Sequence, residues 1–316
     1  MNRPRRLRIA CLSILLCAFG AFANTIVLAA QTFTSVDQLI ESRGVLIPVT
    51  LVTPANEPAR AEAHAPAKAH TKGVPLAILI HGHGGSRHEA GGFTRVAEGL
   101  AVHGIASIRM DFPGCGDSSE SFANNNLSNM LADIEAATSH ALTAVNVDES
   151  RLGLLGFSMG GRLAITLAAQ DRPYRAMGLW APSANNGATS MVKYLGGTET
   201  YAHMKAQAKA EGFAPFTTFW GQQQQLGYRW FTDLETSMPG DDIAKFSGAL
   251  FVLYGDLDDV VPPAVAESVL QKATNASSTA RHIVNGADHG LGLFNDDFSR
   301  SAEAVSATVS FFAEHL

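Results

Sequence analysis

Short apolar runs alternate along most of the chain with longer segments of helical periodicity. Residues 44–52 form an early run, and Pro48 inside it removes a ladder donor, which places that strand near a sheet edge. Further runs at 77–80, 105–110, 151–155, 176–180, 249–254 and 279–284 have the length and apolar content of buried strands. Between them the spacing predicts helices over 93–103, 127–144, 162–170, 263–272 and 302–315. Strands alternating with helices make an α/β domain with a doubly wound, mostly parallel sheet. The rhythm fails between 183 and 246. That segment is polar, holds the run Gln222 to Gln225, and carries nine aromatics between Tyr194 and Phe231.

The ends change this picture only at the start. Arg3, Arg5, Arg6 and Arg8 precede an apolar run over 9–22 that is short for a membrane span, and Ala21-Phe22-Ala23 has the small-x-small spacing of a cleavage site. Residues 1–23 are therefore expected to be a signal peptide. The mature chain, 24–316, is then expected to be exported, to the periplasm or outside, without stable membrane association. Cys11 and Cys17 leave with that leader, so Cys115 has no partner and no internal disulfide is possible. The formal net charge of −6 becomes −10 once the four leader arginines are gone. Such an acidic chain, without a basic cluster, does not suit nucleic acid or anionic lipid as a partner.

Chemistry concentrates in loops that follow predicted strands, the end of a parallel sheet where ligands bind. Gly156-Phe157-Ser158-Met159-Gly160 lies between a strand and a helix, the setting of a nucleophile elbow. A serine hydroxyl needs a base, and His289 in Gly286-Ala-Asp-His-Gly290 is the histidine after Ser158 in a glycine-flanked loop at that sheet end. The acid that orients it should come from Tyr254-Gly-Asp-Leu-Asp-Asp-Val-Val-Pro262. Spacing favours Asp258, with Asp259 second and Asp256 in the same loop, while Asp288 adjoins the base too closely in sequence. Two backbone N–H groups should receive the oxyanion: that of Met159, next to the nucleophile, and that of His83 in the loop His81-Gly-His-Gly-Gly85.

Other chemistries find no support. His81-x-His83 with nearby His88 lacks flanking carboxylates, and His64 and His70 sit in a polar Ala/Pro/Lys loop, so no metal is expected. Gly82-x-Gly84 and Gly114-x-Gly116 each lack the third glycine of a dinucleotide loop, and no Gly-Lys-Ser/Thr phosphate loop occurs, so no cofactor is expected. Cys115 has no histidine beside it by pattern.

His81-Gly82, Asp111-x-x-Gly114-x-Gly116-x-Ser118, the elbow, Gly255-x-x-Asp258-x-x-Val261-Pro262 and Gly286-x-x-His289-Gly290 together resemble the α/β-hydrolase superfamily. Within it the chain resembles bacterial esterases of the feruloyl/cinnamoyl esterase and dienelactone hydrolase-like branch, and also the serine aminopeptidase-like hydrolases, from about Leu76 onward. The resemblance implies a cap at about 183–246, inserted between the sixth strand and the acid strand, and an oxyanion N–H from His83. Dienelactone hydrolases proper use cysteine where this chain has Ser158. The expected activity is hydrolysis of small carboxylic esters, with an aromatic or medium-length acyl group held under the cap aromatics. A small-peptide hydrolase using Glu199 or Glu211 to hold an α-amino group is the alternative enzyme, and a non-catalytic binding protein the alternative class.

Overall fold

The computed structural model describes residues 33–55, 73–170, 172–295 and 298–316. The expected leader, with Cys11 and Cys17, and the loop carrying His64 and His70 lie outside the described residues. The chain runs β1 (Phe33–Ser42), β2 (Val45–Pro54), β3 (Val74–Ile80), α1 (Gly92–Val102), β4 (Ala106–Met110), α2 (Leu127–Ala144), β5 (Val147–Phe157), α3 (Met159–Ala168) and β6 (Ala176–Trp180). After an inserted segment come β9 (Ala249–Gly255), α8 (Pro263–Lys272), β10 (Ser278–Val284) and α9 (Phe298–His315). The eight-stranded sheet has the order β1-β2-β4-β3-β5-β6-β9-β10. It is parallel from β4 to β10, with β2 antiparallel to both β1 and β4.

Both faces of the sheet are covered, which is why its strands read as continuous apolar runs rather than alternating ones. In β3, Leu76, Ile78 and Ile80 join one core with Met130, Ile134 and Leu163, while Ala77 and Leu79 join the other with Phe93, Leu100, Phe311 and Phe312. Side chains two apart share a face, so one strand feeds both layers.

The strand with Pro48 lies near the sheet edge, as its sequence suggests, without being the edge itself. β2 is the second strand, and β1 lies outside it. N–H and C=O of one residue point to the same neighbour in an antiparallel strand. The Pro48 carbonyl accepts from Asp111 N–H at 2.9 Å, just beyond the last β2–β4 pair, Val49 with Met110. The missing donor thus falls where the ladder has already ended. β1 itself is mostly exposed and mixed in character, with no apolar run to announce it.

The segment between β6 and β9 is ordered secondary structure. It holds α4 (Thr189–Tyr194), α5 (Thr198–Glu211), the antiparallel hairpin β7 (Phe213–Thr217) and β8 (Gln223–Gly227), α6 (Tyr228–Thr236) and α7 (Pro239–Asp242). A two-stranded hairpin is marginal alone. This one leans on the body: Ser121 Oγ donates to Gln225 Oε1 at 3.0 Å, and a Cβ on Gly227 would lie 2.1 Å from the Ala123 carbonyl oxygen.

Candidate active site

β5 ends at Phe157 and α3 begins at Met159, so Ser158 alone makes the turn, at φ 52°, ψ −111°. That is a strained conformation for a residue with a Cβ, of the kind kept at functional sites. It needs close packing around it. A Cβ on Gly160 would lie 1.9 Å from the Ile80 carbonyl oxygen, and one on Gly156 would lie 2.3 Å from that of Gly160. The two glycines of the motif are thus what let β3, β5 and α3 meet beneath the serine. Ser158 N–H is anchored on the Trp180 carbonyl at 2.8 Å.

Three side chains from separate strand ends meet there. Ser158 Oγ is 3.0 Å from His289 Nε2, and His289 Nδ1 is 2.7 Å from Asp258 Oδ2. The Asp258 carboxylate is fully buried. Its Oδ1 accepts from the N–H groups of Val260 and Val261 at 3.0 and 2.8 Å, which orients Oδ2 toward the imidazole. The His289 ring lies 5.2 Å from that of Phe157. The other acids of the region are engaged elsewhere or turned out. Asp256 accepts from Gly286 N–H, Asp288 from Gly290 N–H at 3.0 Å, and Asp259 is exposed at the rim of the cleft. In this geometry Ser158 can pass its proton to Nε2, and the carboxylate stabilises the imidazolium that results.

The loop after β3 passes beside Ser158: a Cβ on Gly82 would be 3.5 Å from its Cβ. Gly85 N–H bonds the Gly82 carbonyl at 3.1 Å, closing a turn with His83 inside it. Met159 opens α3, so its N–H has no acceptor within the helix. The ring of His81 ties two strand ends together. Phe112 N–H donates to its Nε2 at 3.2 Å, so Nδ1 carries the hydrogen bonded to the Gly82 carbonyl at 2.7 Å. The ring of His83 bonds Gln224 of β8 at 2.9 Å. Among the described residues no cluster of three or more His, Cys, Asp or Glu could hold a metal.

Glu89 belongs to no sequence motif. It is buried at a left-handed φ of 43°, lines the cleft, and accepts Gly82 N–H at 2.8 Å. Burial pushes its carboxyl up to about 7. A glutamate eight residues after His81 carries no pattern of its own, so only the fold brings it under the loop. Asp111, in the motif with Gly114 and Gly116, is structural. It accepts from Arg87 and from Asp117 N–H, and a Cβ on Gly116 would strike its carboxylate. Cys115 is buried, and its thiol is pushed up to about 12, far from a reactive thiolate.

A cleft of about 380 Å³ opens over Ser158 and His289. Met191, Tyr194, Phe219 and Trp220 of the cap line it, opposite Phe157, Val260, Val261 and Phe294 of the body. The cap aromatics divide. Trp230, Phe231 and Tyr201 are buried in the core, and Phe216 packs on Tyr194 at 5.4 Å. Phe213, Tyr228, Glu199 and Glu211 are absent from the lining, whereas Asp259 and Asp288 belong to it. Among the described residues no helix is long and apolar enough to cross a membrane.

The chain resembles several known proteins. Est1E from Butyrivibrio proteoclasticus, solved with ferulic acid bound, superposes with a TM-score of 0.67 at 21% identity, over 88% of this chain and 98% of that one. The Paleococcus ferrophilus monoacylglycerol lipase gives 0.59 at 15% identity, over 77% and 97%. Among curated sequences, the quorum-quenching protein AidA of Acinetobacter baumannii (strain MDR-ZJ06) is 28% identical over 120 residues. That match spans 38% of this chain and only 39% of AidA. The sequence profile of the Alpha/beta hydrolase family matches residues 77–307, most of the sheet together with Ser158, Asp258 and His289, and the chain belongs to that family.

Proposed function

We propose that the protein is a serine hydrolase of small carboxylic esters. The observation that carries this reading is the hydrogen-bonded series Ser158–His289–Asp258 at the floor of an apolar cleft. Ser158 Oγ attacks the ester carbonyl carbon while His289 Nε2 takes its proton. The N–H groups of Met159 and His83 receive the carbonyl oxygen as it becomes an oxyanion. Collapse breaks the ester C–O bond, and His289 returns the proton to the departing alkoxide. Water then enters by the same steps, releases the acid and restores Ser158. Tyr194, Phe219 and Trp220 suit a flat aromatic or medium-length acyl chain. The ferulic acid bound to Est1E is an acid of that shape.

A fluorophosphonate probe should label Ser158 and no other residue. In a panel of p-nitrophenyl esters, aryl and medium-chain acyl groups should give higher kcat/KM than acetyl. An unlabelled protein with no ester turnover would remove the reading. The peptide-hydrolase alternative draws support from Asp259 and Asp288 at the cleft, where a substrate ammonium could sit. Aminoacyl p-nitroanilides in the same panel separate the two. We further propose that residues 1–23 are cleaved on export, which mass spectrometry of the mature N-terminus tests.

A further inference from the structure

The run Gln222 to Gln225 has no part in the chemistry above, yet Gln222, just before β8, and Gln224 within it both reach the loop of His83 and Gly84. Trp220 Nε1–H lies 3.3 Å from Gln222 Oε1, Gln224 Nε2 lies 3.0 Å from the same oxygen, and Gln224 Oε1 lies 2.9 Å from His83 Nε2. The indole N–H can only donate, and this fixes the polarity of the whole series. Gln222 must accept, so Gln224 donates with its amide nitrogen and accepts with its oxygen. His83 therefore carries its proton on Nε2.

His83 Nδ1 is buried without a partner, so a second proton there would be an unpaired buried donor. Burial accordingly holds the ring down at about 4, neutral throughout the ordinary range. Phe122, Tyr194 and Trp230 enclose the ring at centroid distances of 5.5, 6.0 and 5.9 Å. The glutamines also touch the loop itself. A Cβ on Gly84 would lie 2.4 Å from Gln222 Oε1 and 2.6 Å from Gln224 Nε2. Gly84, whose φ is +69°, thus makes room for the two glutamines of the cap.

We propose that Trp220, Gln222 and Gln224 are positioning residues that hold the oxyanion loop through the His83 ring. This rests on the esterase reading above. The cap then contributes to transition-state binding as well as to acyl selection. The loop is held from two sides, by Gln224 on the His83 ring and by Glu89 on Gly82 N–H.

The test is a double-mutant cycle on kcat and KM with p-nitrophenyl acetate, whose acyl group is small, and an aryl-acyl p-nitrophenyl ester. Gln224→Met removes the acceptor, and His83→Ala removes the ring while keeping the backbone N–H. Each should lower kcat about 10- to 100-fold on both esters, the scale of a small misplacement at a reacting centre. KM for the acetate should stay within about twofold, and the double variant should fall no further than the worse single one. Losses that multiply, or a change confined to KM for the aryl-acyl ester, would overturn the positioning role. Trp220→Phe, at a half-exposed site, serves if a cycle variant fails to fold. It should lower kcat on both esters about two- to threefold, and an unchanged kcat would count against the proposal. A wild-type protein that neither turns over esters nor reacts with fluorophosphonate would instead remove the esterase reading, and this inference with it.

Discussion

Replacing Asp258 by asparagine removes a charge and adds two N–H donors, and the surroundings of Asp258 decide which way the new amide faces. Val260 and Val261 present backbone N–H groups to Oδ1 at 3.0 and 2.8 Å. The amide oxygen must take that position, because facing those donors with NH2 would leave buried groups unsatisfied at about 1–3 kcal/mol each. The NH2 then points at His289 Nδ1, which has to accept. The imidazole proton moves to Nε2, facing Ser158 Oγ, and the ring can no longer receive the serine proton. The expected loss in kcat is on the order of 10⁴, as for a wrong tautomer in other serine triads, or about 5 kcal/mol of transition-state stabilisation. Stability should change little, since every hydrogen bond at the site keeps a partner. Steady-state hydrolysis of a p-nitrophenyl ester, the rate of fluorophosphonate labelling and a melting curve measure the three quantities. Asp259→Asn, at an exposed carboxylate, and Asp256→Asn, which can still accept from Gly286, should stay close to wild type in kcat. Turnover by Asp258→Asn within tenfold of wild type, or an equal loss in Asp259→Asn, would refute the reasoning.

Ser158→Ala should abolish labelling and lower ester turnover on the order of 10⁴-fold. Ser158→Gly should be equally inactive but melt higher than the alanine variant, because glycine relieves about 1–3 kcal/mol of strain at φ 52°. Glu89 has its carboxyl raised from 4.5 to about 7, so the folded state holds more protons and stability falls as pH rises through that window. Urea titrations should show wild type losing up to about 3 kcal/mol relative to Glu89→Gln between pH 4.5 and 7, and a flat difference would contradict the burial of that group. Trp230→Ala should destabilise by about 3–5 kcal/mol, as expected for a fully buried indole. Phe219→Ala, at an exposed cleft position, should instead raise KM for aryl-acyl esters with little change in melting temperature.

The parallel sheet was legible because both of its faces are buried. Continuous apolar runs then coincide with strands, and α2, β6 and α8 match the pattern to the residue. β1 escaped because an exposed edge strand needs no apolar run. The meeting of Ser158, Asp258 and His289 could be anticipated because each follows a strand at the same sheet end, with glycines that permit close approach. Glu89 and Gln224 could not, since their roles depend on contacts across the fold that leave no local spacing. The cap aromatics stand out as a group in the sequence, but their division between core and cleft is set by how α5, α6 and the hairpin pack, which composition does not encode.

The strand order has a consequence for how activity is acquired. Ser158 sits at the centre of the sheet, between β3 and β6, whereas Asp258 and His289 follow β9 and β10, the last two strands in the chain and the outermost on their side. β9 closes onto β6 by pairing Ala249 with Ala176, with the whole cap in the intervening loop. Long-range parallel pairing of this kind is slow, because loop closure precedes any compensating contact. A chain emerging from its N-terminus completes the elbow before the base and its acid exist. No partial structure without β9 and β10 brings Ser158, Asp258 and His289 together, so under the proposed esterase activity recovered ester turnover during refolding should time the docking of those two strands, while far-ultraviolet dichroism follows the sheet as a whole.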